Sequence, residues 1–394
     1  ARNAQLSINE SVAVELNRQL KIDAIRRYFD TLLENDGITR PRETLNRWMM
    51  EWKSHFDIIK ENMEDPLVPA STDYHSPLLH RELEKQMLKR STGFDAAKAA
   101  QAATKIVTEL TQYCVNVVKE LSANVPTTKS ELTVTETASI FSIESSQISH
   151  EILLEHHTKL KLLYQNANGT ADGYPERLFT MLQRYRNSSG FRPGEGCGHH
   201  CATPPSVLQF LHEHLDVQME CFASPLNCYF PYFCSAFEDT DVYFGSCGSF
   251  FSFNPTEGSF EAGPPYIEEI MEATRSHICD LLSASEKPLS FVIIIPEWRD
   301  YPTECITKMD ANSEGFVRRM ISLSKFKHVY LDGFQHCTRQ KYFKPVHDTL
   351  VVVMQNDAGA QKWPVDDILE KKFRETWEAA ASGVSENPIF VKSE

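Results

Sequence analysis

The chain of 394 residues contains no apolar run able to cross a bilayer. Its longest, Leu289 to Pro296, falls far short of the roughly 20 residues a spanning helix needs. No signal peptide precedes the first helical stretch, so no membrane partner is expected. The chain opens on Ala1 without a methionine, which marks it as the expected fragment of something longer. It also lacks a surplus of positive charge: 40 Lys and Arg against 54 Asp and Glu leave a net charge of −14. Broad, non-specific nucleic-acid binding needs a basic surface, so any such ligand must sit in a local basic groove. Ten cysteines are too few for a disulfide scaffold at this length. Most, such as Cys221, Cys228 and Cys234, lie in or beside apolar strands and read as reduced thiols in a cytosolic or nuclear protein. A Gly-x-Gly-x-x-Gly loop is missing, Gly245-Ser-Cys-Gly248 being a poor match, and no P-loop or Ser-His-Asp spacing is visible. Cys197-Gly-His-His-Cys201 has tolerable zinc spacing, but no second Cys/His pair follows it, so no metal is expected.

What is present divides in two. Residues 1–170 read as a helical domain, with apolar positions at helical spacing in Val12–Leu16, Ile25–Phe29 and, most strongly, Phe94–Lys119. Pro66 to Pro77 reads as a loop, and a short extended piece at Leu132–Thr135 leads into a further helix ending near Gln165. After Asn166-Ala-Asn-Gly169 the pattern changes. A helix around Arg177–Arg184 and a glycine-rich loop, Gly190–Gly198, precede strands at Gln218–Phe222, Phe260–Ala262, Ser290–Pro296, His328–Leu331 and Thr349–Met354. Helical stretches separate them, which predicts a largely parallel, helix-covered sheet in an α/β domain over 171–378. Phe291-Val-Ile-Ile-Ile295 is apolar throughout, as expected of a strand covered on both faces. Residues 379–394 read as a loose tail.

Ligands of an open α/β sheet sit beyond the carboxyl ends of its strands. Three notable segments are strand ends: Glu220 to Asn227, Gly263-Pro-Pro-Tyr266, and Pro296-Glu-Trp-Arg299. Glu220 can accept hydrogen bonds from ribose hydroxyls, and Ala223, Ser224 and Asn227 follow it in the loop leaving its strand. Thr203-Pro204-Pro205 opens a helix, with Thr203 as its expected cap, and free N–H groups there suit a carboxylate. In the Pro-Pro-aromatic turn, prolines fix the backbone and present carbonyls, while Tyr266 offers a ring face to an unstacked base.

The order Thr-Pro, acidic strand end, Pro-Pro-aromatic is similar to that of adenine N6-methyltransferases. More closely, Glu220–Phe230, Ser259-Phe-Glu-Ala262, Ile295–Arg299, Val346-His347 and Gln355-Asn-Asp357 resemble the phosphorylated-CTD-interacting factor family. The resemblance implies a Rossmann-like S-adenosylmethionine-dependent methyltransferase domain behind an N-terminal helical domain, with an RNA groove between them. It implies S-adenosylmethionine as cofactor, held by Thr203, Pro204, Glu220, Ala223, Ser224 and Asn227, and Gly263, Pro264, Pro265 and Tyr266 as the catalytic turn. The implied substrate is the adenosine following a capped mRNA 5′ end, in the nucleus. A contact with the phosphorylated RNA polymerase II C-terminal domain is expected through a module outside this chain. Trp298, Arg299 and Arg184 are the candidate RNA contacts, core packing with surface charge being the other reading of the first two.

One position departs. The family carries Asn where this chain has Gly263, so the amide oxygen that would take a hydrogen of the adenine amine is gone. Loss of one preorganised acceptor costs on the order of a hundred- to a thousandfold in rate. Transfer is therefore expected to be lost or severely weakened, with a pseudoenzyme's binding role remaining and cofactor binding itself open to loss. An active enzyme with a substitute acceptor at that position is the alternative.

Overall fold

A computed structural model describes residues 8–38, 44–61, 63–71, 76–90, 93–126, 130–189, 201–300, 303–338 and 342–381. The glycine-rich loop 190–198, the Cys197–His200 part of the zinc-like cluster and most of the expected tail lie outside them. The chain forms two compact units, one drawn from Ala1–Glu151 and Asp172–Gly196, the other from Ile152–Ala171 and Cys197–Glu394. A single boundary at 170 is therefore replaced by three crossings, in which each unit takes one helix from the far side of the expected cut.

The first unit contains helices α1 (Ile8–Asn35), α2 (Thr44–Ile59), α3 (Pro77–Arg90) and α4 (Ala96–Ala123). Asp95 caps α4 by accepting from Lys98 N–H at 2.8 Å, and the helix buries Ala99, Ala103, Ile106, Leu110, Cys114 and Val117 along one face. Beyond it comes a meander: β1 (Thr133–Glu136) stands at the expected extended piece, while β2 (Ile140–Glu144) and β3 (Ser149–Leu153) stand where a helix was expected. Alternation decides it: Phe141, Ile143, His150 and Ile152 are buried between more exposed residues, a period of two that ends at the buried Leu153. The second unit's α5 (Leu154–Asn168) follows directly.

Helix α6 (Tyr174–Ser189) returns to the first unit and packs on α1. Their contact encloses an ionic cluster. Arg184 donates to Glu15 from Nε at 2.9 Å and from its terminal nitrogen at 2.7 Å. Arg18 bonds the same carboxylate and Asp65, the latter at 3.0 Å. All four side chains are buried. Buried charges persist only when paired in this way.

The second unit continues with α7 (Pro205–Leu215), β4 (Val217–Ala223), β5 (Phe233–Ser235), α8 (Glu238–Asp241), β6 (Gly258–Ala262), α9 (Glu268–Ala284), β7 (Leu289–Pro296) and α10 (Glu304–Ala311). It ends with β8 (Val317–Leu323), β9 (Tyr330–Leu331), β10 (Tyr342–Phe343), β11 (Thr349–Gln355), α11 (Asp357–Lys362) and α12 (Asp367–Ala380). Six strands make one sheet in the order β5-β4-β6-β7-β11-β8. The first four run parallel, and β11 lies antiparallel between β7 and β8. All eight residues of β7 are buried, as its apolar run predicts. Helices α7 and α12 cover one face, placing Leu208, Leu211, Phe373 and Trp377 against Ile294, Val351 and Val353. The fold is α/β around a mixed sheet, with helical material N-terminal to it.

Candidate functional site

Three neighbouring parallel strands, β4, β6 and β7, bring their carboxyl ends together above a cleft within the second unit. From β4 come Glu220 and Phe222, with Asn227 from the loop beyond. From β6 come Glu261 and the turn Gly263-Pro264-Pro265-Tyr266, and from β7 comes Ile294. Cys201, Ala202, Thr203 and Tyr330 complete the wall. Thus Thr203, Glu220, Asn227 and all four turn residues line one cavity. Pro204, Ala223 and Ser224 sit beside it in the chain without lining it.

The cleft's electrostatics are set by two carboxyls. Parallel pairing aligns Glu220 with Glu261 across β4 and β6. Glu220 accepts from the backbone N–H of Tyr229 at 2.6 Å and of Phe230 at 3.1 Å, both at one oxygen. Burial still pushes its carboxyl up to about 7, because desolvation outweighs these bonds and the nearby Lys159 ammonium. Glu261 is raised well above the ordinary range by burial first and then by Glu220, although Gly263 N–H donates to it. Sequence reading missed Glu261 because its neighbours form a short apolar strand; only the pairing with β4 sets it beside Glu220.

The turn is held from both sides. Ile267 N–H donates to Pro265's carbonyl at 2.7 Å, while none of the described residues donates to Pro264's. The Tyr266 hydroxyl meets Tyr330's, whose own contact with Thr349 is 2.8 Å, and His328 reaches the same Thr349 hydroxyl at 2.8 Å. The hydroxyl of Tyr266 therefore ties its ring to a buried polar chain. Past β4, Asn227 Oδ1 accepts from Ser224 N–H and hydroxyl at 2.7 and 2.8 Å, closing that loop on itself.

Helix α7 departs from expectation at its start. Pro204, not Thr203, is the N-cap, and no side chain caps the helix. Pro204 and Pro205 have no N–H, and those of Val207 and Leu208 both bond Pro204's carbonyl at 3.0 and 3.1 Å. This helix start has little left to offer a carboxylate. The three RNA candidates line no part of the cleft. Arg184 belongs to the buried cluster of the first unit, so its charge is spent on Glu15. Arg299 is held by Glu297 at 2.6 Å and Asp310 at 2.7 Å, and Trp298 packs edge-on to His347 with ring centroids 6.0 Å apart. Among the described residues no group of three His, Cys, Asp or Glu could hold a metal ion, and no helix is long and apolar enough to cross a membrane.

A family model described as "Phosphorylated CTD interacting factor 1 WW domain" matches residues 159–333, which carry five of the six strands of the sheet. The human protein named mRNA (2′-O-methyladenosine-N(6)-)-methyltransferase is 41% identical over 237 residues, 58% of this chain and 33% of its own length. In this region the chain is similar to the phosphorylated CTD interacting factor family. The mouse protein of the same name is 43% identical over 213 residues, 53% of this chain and 30% of its own length. The chain thus spans about a third of the relatives it matches. Over residues 159–333 the chain has a single Trp, Trp298.

Proposed function

We propose that the cleft is a methyl-transfer site for N6 of the adenosine next to an mRNA cap, severely weakened by Gly263. The observation that carries this reading is the convergence of the Pro264-Pro265-Tyr266 turn and two buried carboxyls at adjoining parallel strand ends. S-adenosylmethionine, the cofactor implied by the family, fits this lining: its sulfonium cation suits a site where two carboxyls are crowded and desolvated. Bound there, it supplies an electrophilic methyl group.

The chain's own residues then have distinct tasks. Glu220 keeps one oxygen on the Tyr229 and Phe230 N–H groups and turns the other to ribose hydroxyls. Pro264's carbonyl accepts one hydrogen of the target amine, whose lone pair is otherwise delocalised into the ring. Tyr266, pinned through Tyr330, presents a face to the base. Gly263 brings no side chain, so the second acceptor of the family pattern is missing. Capped mRNA, a nuclear setting and contact with the phosphorylated polymerase tail through a module outside this chain belong to the same proposal.

The test is transfer of radiolabelled methyl from S-adenosylmethionine to capped RNA beginning in 2′-O-methyladenosine. Gly263→Asn is expected to turn over about a hundredfold faster than the unmodified chain. Equal rates would overturn the weakened-site reading.

A further inference from the structure

The space beside Gly263 is not open. A Cβ built on Gly263 would stand 2.9 Å from Glu261 Oε1, closer than such atoms approach, with Ile294's carbonyl next at 3.9 Å. The carboxyl oxygen therefore lies where a side chain at 263 would begin. Glu261 is on β6, two residues before Gly263, which stands just past the end of that strand. Its side chain is buried, lines the cleft, and is oriented by the Gly263 N–H. An oxygen with this address has the chemistry the missing amide would have supplied: it accepts a hydrogen bond.

We propose that Glu261 is the substitute acceptor for the target amine, and that the transfer remaining in this chain depends on it. The inference rests on the methyl-transfer reading above. Pro264's carbonyl and the Glu261 oxygen then flank the amine and favour a pyramidal nitrogen with its lone pair directed at the methyl group. The new N–methyl bond forms from that lone pair as the sulfonium–methyl bond breaks. Sulfur takes that bond's electron pair, and the nitrogen releases one proton to solvent water. Either a carboxylate or a neutral carboxyl has an accepting oxygen, so the role survives protonation.

A double-mutant cycle with the 394-residue chain separates this role from packing or cofactor binding. Glu261→Ala is expected to lower turnover at least about tenfold while the affinity for S-adenosylhomocysteine stays within about threefold. Glu261→Gln, which keeps an oxygen, should retain most of the rate. In the Gly263→Asn background, where the amide supplies the acceptor, Glu261→Ala should cost less than about threefold. The Glu261 end is flexible and can make way for Asn. Equal losses in both backgrounds, or a loss of S-adenosylhomocysteine affinity matching the loss of rate, would overturn the proposal. So would wild-type chain that binds the cofactor product yet transfers nothing, an outcome that leaves the cleft reading in its fully inactive form. Absence of both binding and transfer removes the cleft reading itself.

Discussion

Glu220 shows how a single buried carboxyl can link stability to pH. Its affinity for a proton rises on folding, from the ordinary 4.5 to about 7, because burial outweighs two backbone hydrogen bonds and Lys159. A folded state that binds a proton more tightly than the unfolded one loses stability as pH rises between those values. Below about 4.5 both states hold the proton and the cost vanishes; above about 7 it is complete, at most about 3 kcal/mol. Glu220→Gln keeps an oxygen for the Tyr229 and Phe230 N–H groups and removes the titration. Thermal melts of this variant should match those of the unmodified chain near pH 5 and lie several degrees higher near pH 8. A constant offset across that range would show that Glu220 does not titrate as its surroundings require. At this scale much of the cleft's lining was legible in the sequence. Gly263–Tyr266, Glu220, Asn227 and Thr203 were legible because each stands at a strand end or helix start with distinctive chemistry. Glu261 was not, since its significance arises from β4 lying alongside β6, a pairing between residues 41 positions apart that no local pattern encodes (261 less 220).

Among the elements, the strands in the middle of the sheet declared themselves and those at its edges did not. Strands β4, β6, β7 and β11 appear close to their expected positions, because burial on both faces demands apolar runs. Strand β8 escaped notice: Val317-Arg-Arg-Met-Ile-Ser-Leu323 looks like a basic cluster. At the edge of the sheet, Arg318 reaches Asp357 and Arg319 reaches Asp367 and Glu370. Charge there suits an edge strand, where it discourages pairing with another chain. The stretch His328–Leu331 reads as a sheet strand, yet it supplies only two residues to a separate ribbon with β10. Contacts between elements also constrain glycine. On α11, a Cβ at Gly359 would come within 2.4 Å of Leu289's carbonyl, at the first residue of β7. That obstacle is backbone and cannot swing aside. Gly359→Ala, ordinarily favourable within a helix, should instead destabilise by about 1–3 kcal/mol. Chemical denaturation would show the shifted midpoint, and an unchanged or higher midpoint would contradict the close approach.

For the whole molecule, charge and partition matter more than any motif. The chain crosses between its two units three times, so α5 serves the α/β unit although it precedes α6 of the helical one. Hydrophobic periodicity marks each as a helix but cannot say which core it joins. Net charge of −14 opposes RNA at long range, and two of the three basic or aromatic residues first assigned to RNA are engaged with carboxylates. Cofactor binding is free of this obstacle. S-adenosylhomocysteine has no phosphate, so its association releases few counterions and should change little between about 50 and 200 mM salt. Calorimetric titration of the chain with S-adenosylhomocysteine should therefore give saturable, one-to-one binding that is nearly salt-independent and weakened at least about tenfold by Glu220→Ala. No binding heat, or affinity indifferent to Glu220, would contradict a cofactor pocket at the ends of β4 and β6.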